Sequence, residues 1–437
     1  MPLPQTADEF IALVDRSGLL PARRLADFVA LQRSSGTCPS EAIPLAKSMI
    51  QAGLLTLFQA KQLLLGRHRG FDIGKYRLLE GLGSGGMSQV FLAQHRTMGH
   101  RVAIKLLPES LAKREPATIA QFFREARAAA SLNHPNIVRA HDIDRHGDHY
   151  YMVMDYVAGA TLHDLVMRRG PFSPEVAATC IAHAALGLQH IYEADLVHRD
   201  IKPGNLMLDK AGVVRIVDLG VALATCPNLS ADEPPGEDAG ILGTADYLAP
   251  EQAMADANVD IRSDIYSLGV SLYFLLSGKA PFEDLSLAQK LVGHQFRMPP
   301  APPGPAELLG ILNRMMAKRP ELRYQTPIEV LDALQPFLVD HLDPPTEKEM
   351  PPLTKAAIGP VTQRSNNSAT RISATALLRT PPPIPMPGAS GPPIGASAGP
   401  RASVLLVEPM LADDTPRPSD ATTIIRAAER IKDEGPM

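Results

Sequence analysis

Cysteine is scarce in this sequence: Cys38, Cys180 and Cys226 are the only three in 437 residues, and no two lie close together. That argues against both a disulfide framework and a thiolate zinc site, and it fits a reducing compartment. An excess of one charge is also lacking. The formal net charge is −4, so no bulk electrostatic pull toward nucleic acid or an anionic membrane is expected. Long apolar runs are missing too. The most apolar stretch, LGVSLYFLLSG (Leu268–Gly278), falls well short of the roughly 20 residues that a membrane helix needs, and it reads as a buried core helix. The opening MPLPQTADEF has no basic segment followed by an apolar one, so it does not read as a secretion signal. The expectation is a soluble cytoplasmic protein with no integral membrane segment and no nucleic-acid partner. Hydrophobic residues make up 45% of the chain, enough for a sizeable core. At roughly 100–200 residues per domain, the length allows two to four domains.

Three zones differ in texture. In residues 1–70, TADE (Thr6–Glu9) and TLFQ (Thr56–Gln59) have the form of helix-capping boxes ahead of apolar residues at helical spacing. VDRSGLL (Val14–Leu20) is echoed by MIQAGLL (Met49–Leu55). A small helical bundle of two similar halves is predicted. It is either a leader that packs on the next domain or a separate interaction module with its own docking partners. Residues 76–338 begin with alternating apolar residues and a glycine cluster, which read as strands and a tight turn, and turn helical from about Ser173. Strands followed by helices predict an α+β fold. Residues 339–437 are rich in Pro, Ser and Ala, as in PPPIPMPGASGPPIGASAGP (Pro381–Pro400), and predict a disordered tail. Within it, Ser403–Leu411 and Ala421–Asp433 are short islands that either dock on a partner or remain solvated.

The chemistry begins at GLGSGGMSQV (Gly81–Val90). Glycines let a backbone turn sharply and offer N–H groups to a phosphate. VFLA (Val90–Ala93) reads as a strand leaving the turn, and RVAIKLL (Arg101–Leu107) as the next strand. Lys105 sits inside that apolar run, where an unpaired charge is costly, so it asks for a phosphate and a carboxylate. Glu125, on the helix pattern TIAQFFREARAAASL (Thr118–Leu132), is the candidate carboxylate; taken alone, the pattern favours an ordinary surface glutamate. In VHRDIKPGN (Val197–Asn205), Asp200 can accept the proton of an attacking hydroxyl and Lys202 can stabilise a migrating phosphoryl group. Asn205, and Asp218 at the end of the strand VVRIV (Val213–Val217), are oxygen ligands of the kind magnesium takes when it bridges phosphates. His146 and His149 in DRHGDHY are either a metal pair or, as the pattern favours, a polar hairpin turn.

In this order the motifs resemble the protein-kinase superfamily, specifically the bacterial serine/threonine kinases of eukaryotic type, over about Tyr76–Leu338. The resemblance implies a bilobal fold, with a small β-rich N-lobe and a larger helical C-lobe. It implies ATP and Mg2+ as cofactors and proteins as substrates. Leu82, Gly83, Ser84, Gly85, Gly86, Met87, Ser88 and Gln89 fall in the glycine-rich loop. Lys105 holds the α- and β-phosphates while paired with Glu125. Val90 and Met207 sandwich the adenine with Ala103 beside it, and Met154 is the gatekeeper. The Asp155 carbonyl and the Val157 N–H meet the adenine edge. Asp200 is the catalytic base, and Asn205 and Asp218 hold magnesium. Lys202 follows the serine/threonine pattern. Asp264 and Arg323 match later family anchors, Arg323 pairing with Glu251. Two positions depart from the pattern: Ser88 replaces the third loop glycine and Leu219 the usual phenylalanine. Neither is expected to abolish activity. A pseudokinase scaffold is the rival reading, and the presence of Lys105, Asp200 and Asp218 argues against it. A small-molecule kinase is disfavoured by the long segment ending in GTADYLAPE (Gly243–Glu251). Autophosphorylation targets are expected in Arg371–Thr380 and Ala421–Ile425. Residues 1–70 are expected to be dispensable for the chemistry, because every catalytic motif follows Tyr76. Cys226 is either a redox switch or, as is favoured, an ordinary loop cysteine.

Between Ala231 and Gly243 there is no serine or threonine, and ADEPPGED (Ala231–Asp238) supplies acids instead. Relatives pair an activation-segment phosphate with the arginine before the catalytic aspartate, here Arg199. The matching position, six residues before Thr244, is Asp238. A carboxylate carries about one negative charge against a phosphate's roughly 1.5–2, so Asp238 can hold Arg199 less strongly but permanently. The alternative is phosphorylation of Thr225 or Ser230. Protein made together with a phosphatase is expected to match autophosphorylated protein in activity, and Glu237→Lys/Asp238→Lys to lose most of it. Activity that appears only once Thr225 or Ser230 carries phosphate removes this reading.

Overall fold

The computed structural model describes residues 3–85, 88–107, 116–218, 245–254 and 259–358. Gly86, Met87, Leu219, Thr225, Cys226, Ser230, Glu237, Asp238, Thr244 and the expected tail targets lie outside the described residues.

The chain opens with four helices: α1 (Ala7–Ser17), α2 (Ala22–Ser34), α3 (Ala42–Gln51) and α4 (Leu57–Leu64). The capping boxes read at Thr6 and Thr56 start α1 and α4, each with its reciprocal pair of hydrogen bonds. The repeated GLL motif has a conformational basis. Gly18 and Gly53 close α1 and α3 at φ +62° and +68°, a region where glycine avoids the penalty other residues meet. The four helices share a core built from Phe10, Val14, Leu45, Met49, Leu55 and Leu63, among others. The bundle also packs on the next domain. Thr56 donates to the Leu79 carbonyl and Gln59 Nε2 to the Leu78 carbonyl at 3.0 Å. The Leu57 and Phe58 N–H groups, orphaned at the start of α4, donate to the Glu80 carboxylate at 2.9 and 3.0 Å.

A six-stranded sheet follows, in the order β1-β2-β3-β4-β6-β5. Its strands are β1 (Asp72–Ile73), β2 (Tyr76–Gly85), β3 (Ser88–His95), β4 (Arg101–Leu107), β5 (Ala140–His146) and β6 (His149–Asp155), every neighbouring pair antiparallel. α5 (Pro116–Ser131) lies between β4 and β5 in sequence. His146 and His149 pair across the β5–β6 turn at Gly147, and no metal-ligating cluster occurs among the described residues. Alternation divides the sheet's two faces. Val102 and Ile104 join one cluster with Tyr76, Phe91 and Val153. Ala103 and Leu107 face the large core shared with the second lobe.

That second lobe holds a small sheet of β7 (Gly159–Thr161), β8 (Leu206–Asp209) and β9 (Val214–Ile216). Around it stand helices α6 (Leu162–Arg169), α7 (Pro174–Glu193), α8 (Pro250–Ala253), α9 (Ile261–Ser277), α10 (Leu287–Phe296), α11 (Ala306–Met315) and α12 (Pro327–Leu334). α9 contains most of the apolar run at Leu268–Gly278 and is buried almost throughout. No helix among the described residues is long and apolar enough to cross a membrane. Residues 339–358, expected to belong to the tail, depart from that expectation. They are seated on the folded body and end in α13 (Lys355–Ile358), where Ala357 is fully buried against Leu79 and Leu92. Composition misleads here because the segment uses a few single contacts rather than a core of its own.

Glu251 and Arg323 close the second lobe. The guanidinium meets the carboxylate at 2.7 and 2.9 Å and also donates to the carbonyls of Ala317, Arg262 and Lys318. The Arg323 side chain is fully buried. Removing one partner of such a pair costs about 3–5 kcal/mol. Arg323→Ala is therefore expected to lose stability of that order in chemical denaturation. Adding Glu251→Gln is not expected to restore it, since three carbonyls remain without their donor. Wild-type stability in Arg323→Ala would refute this account.

Candidate active site

Lys105 lies on β4, flanked in register by Val90 of β3 and Met152 of β6. Its side chain follows Ala103 onto the face that meets the second lobe. On α5, Phe122, Ala126 and Ala129 are buried and turn Glu125 toward the sheet. Lys105 Nζ stands 3.4 Å from Glu125 Oε2 and 3.2 Å from Asp218 Oδ1. Burial pushes the ammonium's pKa down, but Asp218 and Glu125 outweigh it and raise the value above that of an ordinary lysine. The structure thus brings Lys105 to Glu125, as the sequence suggested, and also to Asp218, which no sequence signal indicated. Lys105, Glu125, Met152, Met154 and Asp218 line one cleft between the lobes.

Asp218 is placed by β9. The Ile216 N–H donates to the Asn136 carbonyl at 2.8 Å, and the Val217 N–H to the Asn205 carbonyl at 2.9 Å. Asp218 itself has φ +53°. The loop before β8 carries the second group. Lys202 Nζ lies 3.0 and 2.9 Å from the two Asp200 carboxylate oxygens. Asn205 Nδ2 donates to Asp200 Oδ2 and to its backbone carbonyl, both at 2.8 Å. The Asp200 carboxylate is therefore fixed in place by two side chains. His198 is fully buried, and burial lowers its pKa to about 4, leaving a neutral ring whose Nδ1 accepts the Asp200 N–H at 3.2 Å.

Arg199 has φ +68°, a strained conformation for a residue with a side chain. Asp264 of α9 holds it there. The carboxylate accepts the His198 and Arg199 N–H groups, each at 2.7 Å, while Gln252 donates to the Arg199 carbonyl at 3.0 Å. The sequence singled out Asp264 as a family anchor without its partners.

Of the expected nucleotide-contacting residues, Lys105, Glu125 and Met154 line this cleft, and the others are placed by the strands around it. Ala103 pairs in register with Met154, and both are buried. Asp155 ends β6, and Val157 packs against the large core just beyond it. Met207 lies on β8 opposite Thr161. In β2 and β3, Gly83 pairs with Val90, Ser84 with Gln89 and Gly85 with Ser88, with bulges on either side of Glu80 and Gly81. Leu82 falls in the second bulge. A Cβ built on Gly81 or Gly83 would meet nothing within 4 Å, so among the described residues these glycines border open space rather than packed neighbours.

A profile of the protein kinase domain family matches residues 76–334. The serine/threonine-protein kinase PknB of Mycobacterium leprae is 40% identical over 266 residues, covering 59% of this chain and 42% of that protein. The serine/threonine-protein kinase Pkn1 of Myxococcus xanthus is 36% identical over 292 residues, covering 64% of this chain and 41% of that protein. The chain therefore spans about two fifths of the length of these curated relatives. Among solved structures, the Mycobacterium tuberculosis PknI kinase domain matches with a TM-score of 0.47 and 27% identity, over 61% of this chain and 98% of that one.

Burial pushes the Asp264 carboxyl up to about 7, against the pull of the His198 and Arg199 N–H groups. In the unfolded chain its value is about 3.9. The folded state then holds this proton more tightly, so the stability linked to it is full below about pH 4 and is lost as pH rises through about 7. Asp264→Asn removes that titration. The stability of the wild type relative to Asp264→Asn is expected to fall between about pH 4 and about pH 7 in parallel denaturant titrations. A difference that stays constant or grows across this range overturns the assignment.

Proposed function

The chain belongs to the protein kinase family, and on that footing we propose that it transfers the γ-phosphoryl group of ATP to serine or threonine hydroxyls of proteins, including its own, in bacterial signalling. The observation that carries this reading is the pairing of two charge groups across one cleft. Lys105 is held between Glu125 and Asp218, and Asp200 between Lys202 and Asn205.

The donor set fits magnesium. Asp218 offers a carboxylate. Asn205 commits its Nδ2 to Asp200, which leaves its side-chain carbonyl oxygen to face a cation. When bound, magnesium neutralises the charge on the phosphates. The remaining work falls to the chain. Lys105, already aligned by Glu125, binds the α- and β-phosphates. The open edge at Gly81 and Gly83 admits the phosphate chain close to the backbone, with Ser84, Gly85, Gly86, Met87, Ser88 and Gln89 completing the loop. Leu82 and Val90 from the N-lobe and Met207 from the C-lobe enclose the adenine, with Ala103 and Met154 behind it. The Asp155 carbonyl and Val157 N–H recognise its edge.

In the transfer, the substrate hydroxyl oxygen bonds to the γ-phosphorus as the bond from that phosphorus to the β–γ bridging oxygen breaks. The hydroxyl proton passes to Asp200, whose carboxylate is aimed by Lys202 and Asn205. Lys202 also stabilises charge on the migrating group. Its place in the loop supports serine and threonine over tyrosine as acceptors.

Asp200→Ala is expected to lower phosphate transfer by about 10²–10⁴-fold or more while leaving ATP affinity near that of the wild type, since a base acts in the chemical step. Purified protein incubated with Mg-ATP, with phosphosites mapped by mass spectrometry, provides the measurement. Transfer that persists undiminished in Asp200→Ala, or phosphate found on tyrosine alone, defeats the proposal.

A further inference from the structure

The segment 339–358 touches the helical bundle, the six-stranded sheet and the helical lobe. At its start the Val339 N–H donates to Thr179 Oγ1 at 3.0 Å. The Leu342 carbonyl then passes so close to Gly212 that a Cβ there would lie 2.7 Å from its oxygen. Arg168 Nη1 donates to the Lys348 carbonyl at 2.5 Å, and Arg169 grips Glu349 through two bonds of 2.6 and 2.7 Å. Around the root of the segment lies a cavity of about 530 Å³, bordered by Arg169, Phe172, Val176 and Leu208. Besides these polar contacts, the lower run buries Leu342 in the large core.

The upper run is packed. Ala357 is buried with Leu79 and Leu92, and Leu353 joins Leu82 and Tyr156 against the same cluster. Thr354 donates to Glu80 at 3.0 Å, the same carboxylate that receives the N–H groups of α4. Lys355 lies against Gly53 of the helical bundle.

Two of these contacts lead to the nucleotide. Tyr156 sits between Asp155 and Val157, whose backbone groups are assigned to the adenine edge, and Leu82 leads into the glycine-rich loop. We propose that residues 339–358 brace the nucleotide site from outside, with Glu349, Leu353 and Thr354 as positioning residues for ATP. The inference rests on the reading of the interlobe cleft as an ATP site. The lobes are joined covalently through the chain at Tyr156. A second tie, from α6 to β2 and β3, limits their relative opening, so less freedom remains to be lost when ATP engages both lobes. The Arg169–Glu349 pair is partly buried and two-pronged, so it and the apolar cluster share in holding the segment, and reversing one charge sets two cations against each other.

The test uses the full chain carrying Leu353→Asp, Thr354→Val, Glu349→Arg, Arg169→Glu, or the exchange Arg169→Glu/Glu349→Arg. Affinity for a non-hydrolysable ATP analogue is measured by calorimetry, and KM for ATP and kcat on a peptide by steady-state assay. Leu353→Asp and Glu349→Arg are expected to weaken analogue binding and raise KM by about tenfold, within the usual range for coupled sites. kcat is expected to stay within about twofold, since uniform binding is what is lost. The exchange recovers most of the loss, a result that general destabilisation does not produce. If Leu353→Asp fails to fold, the Arg169–Glu349 set decides the matter. Wild-type affinity and KM in Glu349→Arg, or a fall in kcat at unchanged KM, overturns the brace. A wild-type protein that binds no ATP analogue overturns the reading of the cleft itself, and the two failures are thereby distinguished.

Discussion

A buried ammonium group has to be paired, and Lys105 is the point at which that demand organises this protein. Leaving such a charge uncompensated in an interior costs several kcal/mol. Its two carboxylates come from different bodies: Glu125 from α5 and Asp218 from the end of β9. The sheet, the helix and the second lobe must therefore all be in register for one side chain to be satisfied. A shift of α5 away from the sheet or of β9 away from the cleft unpairs the same charge. The groups proposed to bind phosphate are in this way the groups that report whether the two lobes are correctly assembled.

A second constraint works by strain rather than charge. Arg199 and Asp218 both hold positive φ values, +68° and +53°, which side-chain-bearing residues tolerate only when surroundings over-determine them. For Arg199 the surroundings are a buried carboxylate on α9 and an amide on α8. The pair of Arg323 and Glu251 anchors α8 in turn, because Ser263 of α9 also reaches Glu251. A chain of buried polar contacts thus runs from the base of the second lobe to the loop that carries Asp200. Every member of it is chemically ordinary, and its effect lies in the order of connection.

Much of this was legible in the sequence, for identifiable reasons. The strand carrying Lys105 announces itself by a charge in an apolar run, and the helix carrying Glu125 by its periodic apolar face. The capping boxes at Thr6 and Thr56 mark true helix starts. The Arg323–Glu251 contact, implied by family resemblance, is present at 2.7 Å. What escaped reading depends on shape rather than pattern. Thr56 is a cap, yet its hydroxyl also reaches the neighbouring sheet, and nothing in TLFQ distinguishes the two duties. DPPTEKEMPPLT (Asp343–Thr354) has the composition of a linker. Its seat is made by Arg169, Glu80 and a small apolar hollow, each contributed by sequence more than a hundred residues away.

The route of that segment has a mechanical consequence. The chain leaves the described fold at Ile358, on the N-lobe side of the molecule, although its last large helix, α12, belongs to the C-lobe. A load applied through residues beyond 358 is therefore delivered first to Ala357 and Thr354, at β2, and only afterwards to the arginines of α6. The chain beyond Ile358 is thereby rooted first at the strand that leads into the glycine-rich loop, and reaches the helical lobe only through the rest of the segment.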